Sequence, residues 1–80
     1  MKYIKINEFG KSYLEKMPQH RFSSSTVMIG LEILKVIKDV EIPVDCEFIK
    51  EEVAKNGEFE QEEFDAAVQK MEILNLIVVT

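Results

Sequence analysis

Ala67-Val68-Gln69-Lys70-Met71-Glu72-Ile73-Leu74-Asn75-Leu76-Ile77 changes its hydrophobic period partway along. With Phe64 ahead of it, Ala67, Val68, Met71 and Leu74 fall at i, i+3, i+4, i+7 and i+10. That spacing predicts a helix over about 61–73 with one apolar stripe. Asn75 breaks the stripe, and asparagine is the residue after glycine that best accepts a left-handed turn. Leu76-Ile77-Val78-Val79 is short and β-branched, so it reads as a strand rather than as more helix.

Upstream of this stretch, Asn56-Gly57 reads as a left-handed stop closing a shorter helix over about 46–55. Phe48, Ile49, Val53 and Ala54 are its expected inward residues, and Asp45 is its expected N-cap. Glu41 to Asp45 is a brief extended link, because Pro43 pushes Ile42 out of helical geometry. The helix before it, about 26–40, carries Val27, Leu31, Leu34 and Ile37 on one face. Ile33, Val36 and Val40 widen that face beyond half the circumference, which predicts a central helix touched on several sides.

At the start of the chain, Lys2 to Ile6 alternates and predicts a short strand. Asn7 is placed to cap a following helix in which Phe9, Tyr13, Leu14 and Met17 recur at helical spacing. Gly10 weakens that helix by roughly 1 kcal/mol relative to alanine, and Pro18 ends it. Gln19 to Ser25 reads as a loop. The expected fold class is α+β and mainly helical, in the order β-α-α-α-α-β. Its short N-terminal strand pairs with the C-terminal strand.

From about Val27 to Val79, this order resembles the winged helix-turn-helix superfamily. That superfamily places a first helix, a short extended link, a turn motif of two helices and a strand leading into a wing. The likeness rests on the stretch from Ala67 to Ile77, an apolar-spaced helix, a leucine, a turn residue and then Leu-Ile. Asn75 stands where glycine is usual. Only three residues follow Ile77, so a truncated wing is expected. The strand would keep a bare edge unless the N-terminal strand or another subunit covers it.

The resemblance implies DNA reading by the second helix of the turn motif, and the charge of this chain argues against it. Residues 1–38 sum to +4 and residues 39–80 to −9, within a net charge of −5. A helix lying among phosphates brings lysine and arginine. Here Glu60, Glu62, Glu63, Asp65 and Glu72 stand against Lys70. The basic half keeps an alternative open, in which Lys11, Lys16, His20 and Arg21 contact a nucleic-acid backbone with Phe22 nearby for stacking.

No residue set suggests catalysis. His20 sits in a polar loop with no nucleophile or orienting acid near it in sequence. Cys46 follows a helix cap, which leaves two readings, a thiol activated by the helix N-terminus or a small packing residue. Glu58, Glu60, Glu62, Glu63 and Asp65 lack the ligand order and central glycine of a calcium loop. Ser23-Ser24-Ser25-Thr26 lacks the glycines and lysine of a phosphate loop and reads as helix capping or a phosphorylation site. No metal and no cofactor are expected.

With 46% apolar and 31% charged residues, the chain has the material for one small core. Its single cysteine fits a reducing compartment and a cytoplasmic location. Neither a signal peptide nor a membrane-spanning run is expected. The expected role is a small non-catalytic protein-interaction or regulatory module. Its protein partner, of basic character, would meet Glu60, Glu62, Glu63 and Asp65 or pair with the strand edge at Ile77 and Val79. A homodimer joined through the terminal strands is a further arrangement of that edge.

Overall fold

The N-terminal tetrapeptide holds the centre of the sheet. In the computed structural model, which describes residues 2–16 and 25–80, strand β1 (Tyr3–Ile6) lies between β2 (Val44–Asp45) and β3 (Ile77–Val79). Both pairings are antiparallel, with Ile4 opposite Val44 on one side and Val79 on the other. Four helices complete the described chain: α1 (Glu8–Lys16), α2 (Ser25–Ile37), α3 (Cys46–Ala54) and α4 (Gln61–Ile73). The order is therefore β-α-α-β-α-α-β. The expected α+β class and the pairing of terminal strands are both observed, and the extended link before α3 contributes the small strand β2.

Alternation along β1 explains how the sheet meets the helices. Ile4 and Ile6 point inward and are buried, while Tyr3 and Lys5 face outward. Beneath them α2 packs most extensively on α4 and then on α3, which makes it the central helix that its broad apolar surface predicted. Ile29, Leu31, Ile33, Leu34 and Ile37 of α2 enter one core with Ile49, Val53, Phe64, Ala67, Val68, Met71 and Ile77. No charged or polar residue is buried among the described residues. The radius of gyration, 11.4 Å, is close to the ~11.6 Å expected of a compact 80-residue domain.

Helix α4 has defined signals at both ends. At its start the Glu60 amide donates to Glu63 Oε1 at 3.0 Å in a capping box. Phe59 stacks on Phe64 with ring centroids 5.6 Å apart. These are the positions just before the cap and at the fourth helical residue, so the pair forms a hydrophobic staple. At its end, Leu76 N–H donates to the Met71 carbonyl at 3.0 Å and Asn75 N–H to the Glu72 carbonyl at 2.9 Å. Asn75 has φ of 61°. This is a Schellman closure, with its apolar contact supplied by buried Leu76 and Met71.

Several sequence expectations need correction. Gly57 is not left-handed, because Asn75 alone among the described residues has a positive φ. Helix α3 closes at Lys55 in right-handed geometry, with Asn56 N–H bonded to the Val53 carbonyl at 3.0 Å. Helix α2 ends at Ile37 rather than near Val40. Phe9, Phe48, Ala54 and Leu74 were expected inside and are exposed. Helical spacing identifies a stripe but not how much of it a neighbour covers. Met17 lies outside the described residues.

Gly10, expected only to weaken α1, is what allows the helix to reach the sheet. A Cβ at this position would lie 2.3 Å from the Leu76 carbonyl oxygen and 2.7 Å from Ile6 Cγ1. The backbone of α1 thus rests directly on the turn between α4 and β3.

Candidate functional site

The strongest chemical feature is the negative charge on α3, α4 and the loop between them. Asp45 caps α3, its Oδ1 accepting from Glu47 N–H at 2.9 Å. Glu47, Glu51, Glu58, Glu60, Glu62 and Asp65 are exposed, whereas Glu63 is half-buried. Of the region's three lysines, Lys50 and Lys55 are engaged within it. Lys55 pairs with Glu52 at 3.0 Å. Lys50 donates to the Gln61 side-chain oxygen, and Gln61 Nε2 donates in turn to Asp65 Oδ1 at 2.8 Å.

The four acids singled out from the sequence therefore divide by task. Glu60 and Glu63 form the capping box that starts α4, and Asp65 is tied across one helical turn to Gln61. Glu62 is exposed in the first turn, where its charge suits the positive end of the helix. Glu58, Glu60 and Glu63 border a shallow cleft with Lys50, Ala54, Gly57 and Phe59. Among the described residues, no three metal-ligating side chains are grouped as a metal site would require.

Cys46 follows the cap of α3, and its thiol pKa is raised. Burial is the main cause, followed by the charge of Glu47, with Asp65 and Asp45 adding to it and Lys2 opposing. Burial, joined by these acids, outweighs the opposing charge of Lys2. Of the two readings of Cys46, the packing one fits, because the side chain is half-buried against the core and holds its proton firmly.

Lys11 and Lys16 of the first helix border different clefts. Lys11 forms an ion pair with Glu41 at 3.5 Å and borders a cleft with Leu14, Glu15, Lys38 and Asp39. Lys16 borders a different notch, between α1 and the turn after α4, with Phe9, Tyr13, Leu74 and Leu76. His20 and Arg21 lie outside the described residues, as does Phe22.

The edge of β3 is more closed than the sequence suggested. Tyr3 and Thr80 exchange hydrogen bonds of 3.1 and 2.9 Å, which makes Lys5 and Val78 the next bonded pair along the ladder. The main-chain groups of Ile77 and Val79 thus turn to the outer edge. Ile77 is only 2% exposed, and Val79 is half-buried, so an incoming strand would find the edge covered at Ile77.

Sequence reasoning missed the apolar notch beside α1, because it placed Phe9 and Leu74 in the core. They are 64% and 50% exposed, with Ile73 at 74% next to Leu74. Among the described residues, no helix is long and apolar enough to cross a membrane. Comparison of the chain with protein-family models, curated proteins and solved structures returns no match.

Proposed function

We propose that this chain is a small protein-interaction module on a winged-helix-like scaffold, and that its acidic α3–α4 surface meets a basic surface on a protein partner. One observation carries the reading. From Cys46 to Asp65 eight carboxylates stand against two lysines, Lys50 and Lys55, and six of the acids are exposed. A surface of one sign steers an oppositely charged partner and repels phosphates.

Support for the scaffold comes from the succession α2, β2, α3, α4 and β3, and from the left-handed Asn75 between the last helix and its strand. In this reading β1 gives β3 the cover that a returning wing strand would provide. Helix α4 stands where a DNA-reading helix would, and its first turn carries Glu62 and Glu63. The placement of Lys11 beside Glu41, away from the notch at Lys16, favours a protein partner over a nucleic-acid backbone on the basic half. A second copy joined along β3 draws less support, because Ile77 is covered.

The test is affinity capture from the native cell on the immobilised chain, followed by a salt step from about 0.1 M to about 1 M. Over that range the Debye length falls from roughly 10 Å to roughly 3 Å. A partner held by the acidic surface is released across the step. A partner that stays bound throughout overturns the reading.

A further inference from the structure

We draw no further inference here: the strongest candidate, the apolar notch between α1 and the turn after α4 that Phe9, Tyr13 and Leu74 line with Lys16 at its rim, carries no proposal because nothing in the structure shows what covers it.

Discussion

Asn7 donates from its side-chain Nδ2 to the backbone carbonyl of Asn75 at 2.6 Å, joining the start of α1 to the left-handed turn after α4. Every polar group of Asn7 is used at this junction. Its Oδ1 accepts from Gly10 N–H at 2.9 Å, its N–H donates to the Leu76 carbonyl at 3.2 Å, and its carbonyl accepts from Lys11 N–H at 3.1 Å. One side chain therefore caps a helix and also ties it to a turn 68 residues away in sequence.

Replacing Asn7 separates those two tasks. Asn7→Ala loses both the cap and the tie, and about 2 kcal/mol of stability is expected to go with them. Asn7→Ser keeps a capping oxygen but cannot reach Asn75, so about half that loss is expected. Urea denaturation of the two variants reads the difference, and equal losses would remove the tie from the account.

Gly10 and Gly57 should respond in opposite directions to alanine. At Gly10 the added carbon meets the Leu76 carbonyl at 2.3 Å, and that oxygen belongs to a turn fixed by Met71 and Asn7. Despite a gain of roughly 1 kcal/mol in helix propensity, Gly10→Ala should cost about 2 kcal/mol net through overpacking. A Cβ on Gly57 meets nothing within 4 Å, and its φ is not positive. Gly57→Ala should therefore be neutral or stabilise by about 0.4–1 kcal/mol, through the unfolded chain. Thermal melts of both variants check the contrast.

At Asn75 the backbone conformation decides the outcome. With φ at 61°, Asn75→Ala should cost about 1 kcal/mol, because alanine keeps the Cβ but loses the short polar side chain that lets asparagine tolerate a left-handed backbone. Asn75→Gly should lie within about 0.5 kcal/mol of the parent chain. A glycine variant as unstable as the alanine one would mean that the asparagine side chain, rather than the turn, sets the stability.

Cys46 predicts a fall in stability at alkaline pH. Burial and then Glu47 raise the thiol pKa in the folded chain above its ordinary value of 9.0. As pH rises through the ordinary thiol range, the unfolded chain therefore loses its proton first. Linkage then lowers folding stability over that window, while below it the thiol contributes no pH dependence. Cys46→Ala should flatten the profile between about pH 8 and pH 10. Denaturation midpoints of both chains across that range are the measurement, and parallel profiles would contradict it.

The parts legible in the sequence are those whose signals are local. The bounds of helix α4 were legible because its apolar period and the left-handed asparagine after it are local, whereas its capping box and staple emerged only from the structure. Asp45 was read as a cap for the same reason. The central position of β1 was not legible, since it depends on partners at Asp45 and Thr80, far along the chain. Gly10 was misread as a weakness because its use lies in contact with Leu76. Phe9 and Leu74 follow helical spacing faithfully, yet nothing in that spacing tells which end of a stripe lacks a neighbour.

The acidic surface was visible as composition, but its division of labour was not. Glu60 and Glu63 resemble Glu62 in type, and only the geometry assigns them to the start of α4. A charge-reversal experiment should accordingly spare them. Glu58 and Glu62 are exposed and have no hydrogen-bond or ion-pair partner among the described residues, so they can be altered with less effect on the fold. Lysine at position 62 gives up about 0.3–1 kcal/mol of helix-dipole interaction.

The most direct measurement is the amount of protein captured from the native cell by the double variant Glu58→Lys, Glu62→Lys and by a control variant Phe9→Ser, each compared with the parent chain. The acidic surface as partner site predicts that capture falls at least tenfold in the double variant, with circular dichroism unchanged, and persists in the control. Full retention of the same partner by a folded double variant would contradict the account.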